Sequence, residues 1–192
     1  SLAEMLKIHN TLKRKKDVFK PLKKGNINMY VCGPTVYGPG HIGHARTYIA
    51  FDIVRKYLEY QGNKVKLVMN ITDIHDDVIT AANEQGTTLF KLADKNTKLF
   101  FADLESLGIK KAFKNPRVTD HIPEIIALIK QLEKKGYTYN TEDGVYYDIS
   151  HFARYGKLSG AKAEKGKTGQ RIQTDKYDKE NVQDFVLWKK QK

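Results

Sequence analysis

The chain has 192 residues, is 40% hydrophobic, holds one cysteine and carries a formal net charge of +12. That length suits one α/β domain, or one domain with an insertion. A single cysteine excludes an internal disulfide framework, no apolar run approaches a membrane span, and the N-terminus shows no signal-peptide pattern, so a reducing cytoplasm is the expected compartment.

The charge is unevenly placed. Residues 1–24 hold eight Lys/Arg against two Asp/Glu, and residues 157–192 hold ten against five; the middle holds 16 against 15 and is nearly neutral. Basic ends suit a polyanion such as nucleic acid. They suit equally well a lysine-rich surface that does no more than solvate the chain.

Taken in order, residues 1–26 mix apolar positions such as Leu6, Ile8 and Phe19 with the cluster Lys13-Arg14-Lys15-Lys16. They read as short extended pieces around a basic turn. Met29-Tyr30-Val31-Cys32 reads as a buried strand. Gly33, Pro34, Gly38, Pro39 and Gly40 then break regular structure. A helix opens at His41-Ile42-Gly43-His44 and runs to about Gln61, with Ile49, Ile53, Val54, Tyr57 and Leu58 as its expected buried face. Val65 to Ile71 reads as a second strand. Strand, helix and strand form one parallel crossover unit, whose ligands bind at the carboxyl ends of the strands.

Val78 to Glu84 is an expected helix, and Thr87-Thr88 can cap another over Leu89 to Leu107. Phe90, Leu92, Leu99, Phe100 and Leu104 are the expected core positions of the latter. After Asn115-Pro116, His121 to Lys135 reads as a helix with Ile122, Ile125, Ile126, Ile129 and Leu132 on one face, ending at Gly136. Tyr137–Tyr139 and Val145–Ile149 read as strands around a turn at Asp143-Gly144. Residues 156–180 are polar and read as a mobile connector. Val182 to Trp188 is apolar again, an ordered segment expected to return to the core.

The chemistry concentrates where the first strand meets the helix. His41 and His44 lie three apart and share a face, so both imidazoles can aim at one anion beside the backbone N–H groups of the helix start. Gly43 lets a flat ring lie on the backbone. Such a site suits a nucleoside triphosphate, whose phosphoryl transfer needs mainly positioning and charge stabilisation. The same residues also read as a helix cap with two incidental histidines. Cys32 can supply a thiolate to a metal or act as a nucleophile, or it can be a buried strand residue. Thr72, Asp73, Asp76 and Asp77 follow the second strand. They can bind an amine, a ribose or magnesium, or they can cap the next helix and fill its acidic first turn. Trp188 can pack on a ligand or in a core. Neither G-x-x-x-x-G-K-[ST] nor a strand-borne G-x-G-x-x-G is present, which argues against P-loop and dinucleotide-binding readings.

Together these residues resemble the class I aminoacyl-tRNA synthetases, whose signature is the HIGH tetrapeptide at His41–His44. Within that class the chain is similar to the cysteinyl-tRNA synthetase family. The likeness rests on Met29-Tyr30-Val31-Cys32-Gly33-Pro34-Thr35-Val36-Tyr37, His41 to Thr47, Asn70-Ile71-Thr72-Asp73-Ile74, Tyr155 to Ser159 and Asp184 to Lys189. It covers about Leu6 to Lys189.

The resemblance implies an α/β fold: the N-terminal half of a Rossmann-like (HUP-type) parallel sheet with an inserted connective α+β region. It divides the chain into 1–106 with the HIGH motif, a connective insertion over 107–183, and 184–192 returning to the catalytic fold. It implies that residues 1–26 form a hairpin. The implied reaction activates L-cysteine with ATP and magnesium, then passes the cysteinyl group to tRNA(Cys) in a monomeric enzyme. Pro34, Thr35, Tyr37, His41, Gly43 and His44 would bind ATP, with His41 and His44 catalytic. Cys32, Gly33, Thr72 and Trp188 would bind the amino acid. Cys32 would also be one ligand of a zinc ion that selects a thiolate over serine's hydroxyl.

The family's other zinc ligands, its lysine-rich KMSKS-type loop and its anticodon-binding region have no match here, and His75-Asp76-Asp77 departs from its usual pattern. The chain is therefore read as a fragment of the catalytic domain, inactive alone. Three alternatives differ in chemistry: the cysteine ligase of mycothiol synthesis, another HxGH-type nucleotidyl transferase, and a non-catalytic nucleotide- or RNA-binding fragment.

Overall fold

The computed structural model describes residues 6–160 and 184–190. The chain forms two compact units, one of residues 20–122 and one of residues 1–19 with 123–192.

The second of these begins with β1 (Lys7–Asn10) and β2 (Lys15–Val18), paired antiparallel with Lys7 opposite Val18 and Asn10 opposite Lys15. This is the hairpin that the resemblance implied. Its tip is the basic cluster, where Arg14 takes a left-handed conformation (φ 53°) and Lys13 pairs with Asp17.

In the unit of residues 20–122, β3 (Asn26–Val31) and β4 (Lys64–Met69) pair in parallel, Asn26 opposite Lys64 and Val31 opposite Met69. Ile27 and Val31 on β3, and Val65, Leu67 and Met69 on β4, are buried at even spacings, as strands covered on one face require. The connection is α1 (Ile42–Tyr60). Then come α2 (Asp76–Glu84) and α3 (Leu89–Ser106), and the chain returns to the sheet. Residues 113–118 run parallel beside β4: the Phe113 N–H donates to the Leu67 carbonyl at 2.7 Å and the Ile71 N–H to the Pro116 carbonyl at 2.8 Å. Pro116 costs the sheet no hydrogen bond here, because the sheet uses its carbonyl. The core joins Val31, Leu67 and Met69 to Tyr48 of α1 and Phe100 and Leu104 of α3. A 3-10 turn (Thr119–His121) closes this unit.

Two expected helix faces need correction. In α1 only Leu58 of the expected set is buried; Ile49, Ile53, Val54 and Tyr57 are exposed, and the inner face is Tyr48, Asp52, Arg55 and Leu58. The polar pair is inside because it is fully engaged. Asp52 accepts from the Lys110 N–H at 3.1 Å and pairs with Lys56 at 2.6 Å. Arg55 donates to the carbonyls of Lys110 (3.2 Å) and Lys111 (2.8 Å) and meets Glu59 at 3.3 Å. These bonds tie α1 to the segment leading back into the sheet. In α3, Leu92, Phe100 and Leu104 are buried as expected, but Phe90 and Leu99 are exposed and Asn96 and Thr97 are buried instead.

The other unit continues with α4 (Ile122–Lys134), beyond which Gly136 (φ 73°) turns the chain. β5 (Thr138–Asn140) and β6 (Gly144–Tyr147) form the expected hairpin, and β7 (Phe185–Lys189) adds antiparallel to β6. Residues 184–190, expected to return to the catalytic fold, thus complete a three-stranded sheet. Buried Asp184 fastens them: it accepts from the Tyr139 hydroxyl at 2.9 Å and the Ile149 N–H at 3.1 Å. Residues 156–159 form turns, and the connector beyond residue 160 lies outside the described residues.

The facing of α1 can be tested by unfolding in urea. Arg55→Met leaves the carbonyls of Lys110 and Lys111 without their donor and takes from Glu59 one of its two cations, Lys110 remaining, and is expected to cost about 3 kcal/mol. Ile53→Ser, on the exposed side, should stay within about 0.5 kcal/mol of the parent. Equal losses would reverse the assignment.

Candidate functional site at the mouth of the parallel sheet

Beyond Val31 and Met69 the two strands stay joined. The Thr72 N–H donates to the Pro34 carbonyl at 3.0 Å, and the Val36 N–H donates to the Thr72 carbonyl at 3.2 Å. Asn70 ties the ends more closely. Its Oδ1 accepts from the Gly33 N–H and from the Tyr30 hydroxyl, both at 2.8 Å, and its Nδ2 donates to Thr72 Oγ1 at 3.1 Å. Gly33 is required: a Cβ there would fall 1.5 Å from the Asn70 carbonyl oxygen. Cys32, Gly33 and Thr72 are therefore neighbours, as the sequence suggested.

Cys32 is exposed, which removes the buried-strand reading. Its side chain and Tyr30 act on one another: burial first, and then the negative charge of a Cys32 thiolate, raise the Tyr30 phenol above its ordinary value. Tyr48 lies beneath. Its hydroxyl donates to the Cys32 carbonyl at 3.2 Å, and burial, followed by Cys32 and Tyr30, pushes it up to about 12.

His41 and His44 sit at the start of α1 and first serve the helix. His41 is the N-cap: its Nδ1 accepts from the Gly43 N–H at 3.1 Å, while His44 Nδ1 accepts from the His41 N–H at 3.2 Å. The rings stack with centroids 3.9 Å apart. The capping alternative is thus realised, and it fixes the tautomer. With both Nδ1 atoms accepting, neutral imidazoles carry their protons on Nε2. Burial, and then the neighbouring His41, lower the pKa of His44. The ring lying over Gly43 is that of His41, since a Cβ at Gly43 would come 2.9 Å from His41 Cε1. His44 stands 6.5 Å from the ring of Tyr48, so the imidazole pair and Cys32 meet at one tyrosine.

The remaining residues divide. Pro34 is buried and Thr35 bridges to Thr72, while Tyr37 is exposed. Asp73 is buried and accepts from the Thr119 N–H at 3.1 Å and the Thr119 hydroxyl at 2.5 Å. The cap of α2 is not Thr72 or Asp73 but His75, whose Nδ1 accepts from the Asp77 N–H at 3.2 Å; Asp76 and Asp77 fill the first turn as expected. Trp188 lies on β7 in the other unit, opposite Val145 and 38% exposed.

Sequence reasoning missed two supports. Buried Asn96 donates to the Val36 carbonyl at 2.9 Å and so pins the turn; its signal was an amide at a core phase of α3. Asp103 faces Gly40, where a Cβ would meet its carboxylate at 2.9 Å, beside a depression of about 300 Å³ that His41 and His44 also line.

Residues 18–192 match the family described as the class I (C) tRNA synthetase catalytic domain. The chain belongs to that family. It is 51% identical over 188 residues to a cysteine–tRNA ligase of Pyrococcus furiosus, covering 98% of this chain and 39% of that protein. It is 52% identical over 187 residues to a cysteine–tRNA ligase of Thermococcus kodakarensis, covering 97% and 39%. The chain thus spans about two fifths of the length of the curated relatives it matches. Among solved structures, a Mycobacterium tuberculosis methionyl-tRNA synthetase in complex with methionyl-adenylate superposes with a TM-score of 0.54 at 25% identity, over 62% of this chain and 24% of that one. An Agrobacterium radiobacter LeuRS in ternary complex with tRNA and LeuAMS shares the fold, with a TM-score of 0.55 at 23% identity over 69% and 17%. The α/β Rossmann-like reading agrees with these synthetase folds.

Among the described residues no three His, Cys, Asp or Glu side chains converge as a metal site, and the sequence has no second cysteine. Cys32 alone does not fit tetrahedral zinc.

The histidine pair gives a pH prediction. A histidine whose folded pKa is depressed adds stability that is present above the unfolded value and is lost as pH falls through that value toward the folded one. NMR titration should place His44 below 6.5. Burial is the larger cause, so His41→Ala should raise His44 without bringing it to 6.5. A His44 titrating at or above 6.5 in the parent would remove the assigned environment.

Proposed function

We propose that the chain is the N-terminal part of the catalytic domain of a cytoplasmic, monomeric cysteine–tRNA ligase. The whole enzyme would join L-cysteine to ATP, with magnesium, giving cysteinyl-adenylate and pyrophosphate, and then pass the cysteinyl group to a hydroxyl of the terminal ribose of tRNA(Cys), releasing AMP. The observation that carries this reading is that Tyr48 joins the two elements at the carboxyl end of a parallel sheet: its hydroxyl donates to the backbone carbonyl of Cys32, whose thiol is exposed, and its ring lies 6.5 Å from His44 of the capped imidazole pair.

The residues have distinct work. The Nε2–H groups of His41 and His44 donate to phosphate oxygens and stabilise charge as the amino-acid carboxylate attacks the α-phosphate and pyrophosphate departs. Because Nδ1 is held by the helix cap, each ring is oriented before substrate arrives. Exposed Tyr37 offers surface to the nucleotide, and Gly43 leaves room for the His41 ring to lie on the backbone. Pro34 and Thr35 act through their backbone, which holds Thr72 beside Cys32 and Gly33. Zinc, when bound, would supply selectivity for a thiolate, and this chain would offer it Cys32 as a single ligand.

Two measurements test the reading. In equilibrium dialysis the chain should retain far less than one equivalent of zinc; tight stoichiometric binding would show that it builds a metal site of its own. A chimera in which this chain replaces the matching segment of the Pyrococcus furiosus relative should charge tRNA(Cys) with cysteine. Cys32→Ser should then lower cysteine activation about a hundredfold, the scale at which damage to a metal-binding shell is felt. A folded chimera that charges nothing, or one indifferent to Cys32→Ser, would defeat the proposal.

A further inference from the structure

Between α1 and α3, against the helix-covered face of the sheet, lies a cavity of about 530 Å³. That is the size range of small-molecule sites. Its floor is Leu67 and Met69, both buried, and its walls include Phe51 of α1 and Phe101 and Ala102 of α3. It arises because the two helices present offset stripes to the sheet. Tyr48, Phe51 and Asp52 line one side, and Lys98, Phe101, Ala102 and Glu105 the other, at the i, i+3, i+4 and i, i+3, i+4, i+7 spacings of a single helix face.

The charges at the rim do not balance. Asp52 is occupied by Lys56 and the Lys110 N–H, and Glu59 takes Lys110 at 2.8 Å. Glu105 meets Lys111 at 3.8 Å. Lys98 has no acidic partner among the described residues. An apolar chamber with one uncompensated ammonium at its rim selects an apolar body carrying one anionic group. Tyr48 belongs to two places at once. It lines the cavity, and its hydroxyl holds the Cys32 carbonyl.

We propose that this cavity is a second ligand site, for a small amphipathic anion such as a medium-chain carboxylate, and that its occupancy is felt at Cys32 through Tyr48. The binding half stands on the cavity alone. The consequence for activity rests on the proposed role of Cys32, so the two are read separately.

The test is an amide NMR titration of the whole chain with octanoate and with its neutral counterpart 1-octanol. Octanoate should shift Tyr48, Ala102 and Ala112 saturably and move Cys32 with the same midpoint. Octanol should bind severalfold more weakly, the scale of one partly exposed charge contact, and Lys98→Gln should erase that difference. Ala102→Phe fills the chamber from an exposed helix position and should weaken both ligands about tenfold or more while leaving the circular dichroism unchanged. Unsaturable shifts, equal affinity for the two probes, or unweakened binding to folded Ala102→Phe would each overturn the site. Saturation of the cavity with Cys32 unmoved would overturn the link to Tyr48 and leave the ligase reading untouched.

Discussion

Two strand ends can bring their side chains to one place only if their backbones approach closely. Here the approach is set at Gly33 and Asn70. The carbonyl of Asn70 occupies the space that any side chain at Gly33 would need, and the Asn70 amide bonds to Gly33, Tyr30 and Thr72 at once. An amide can do this where a carboxylate cannot, because it accepts on one side and donates on the other. The result keeps β3 and β4 in register past their last regular residues and sets Cys32 beside Thr72. Opening that contact would separate the thiol from the residues proposed to share its substrate.

The helix start follows the same logic. His41 and His44 satisfy backbone donors that α1 would otherwise leave free, and in doing so they commit one nitrogen each. Capping and binding are therefore not competing explanations. A ring fixed through Nδ1 keeps Nε2–H as its one remaining donor, already oriented and with little rotamer freedom left to lose. The lowered pKa of His44 suits that role. A neutral ring beside another ring donates without repelling its neighbour, as the proposed phosphate contact requires.

Much of this was legible in the sequence, and the failures share a cause. Apolar runs located β3 and β4, and glycine with proline located the turn between strand and helix. Gly136 and Asp143-Gly144 marked the end of α4 and the hairpin beyond it. Periodicity found α1 and α3 but chose the wrong stripe on α1. It assumed that apolar residues face inward, whereas Asp52 and Arg55 are inside because the backbone of Lys110 and Lys111 satisfies them. Asn96 was passed over for the same reason. A polar residue is buried on the strength of a partner far along the chain, and spacing alone carries no record of that partner. For Cys32, His41, His44 and Thr72 periodicity carries no signal, and the roles proposed for them come from the family resemblance.

The buried polar anchors also explain why this half-sheet has a defined shape. Apolar contacts among Val31, Met69, Tyr48 and Phe100 would tolerate α1 at several rotations about its axis, since hydrophobic attraction has little direction. Arg55 on two named carbonyls permits only one. That rotation places His44 over Tyr48 at one end of the helix and leaves Ile49, Ile53 and Tyr57 facing away. The same helix face brings Tyr48, Phe51 and Asp52 to the cavity, so Tyr48 is shared between the cavity and the histidine end of α1. A substitution that frees Arg55 should therefore disturb both together, even though Arg55 belongs to neither the cap nor the thiol site.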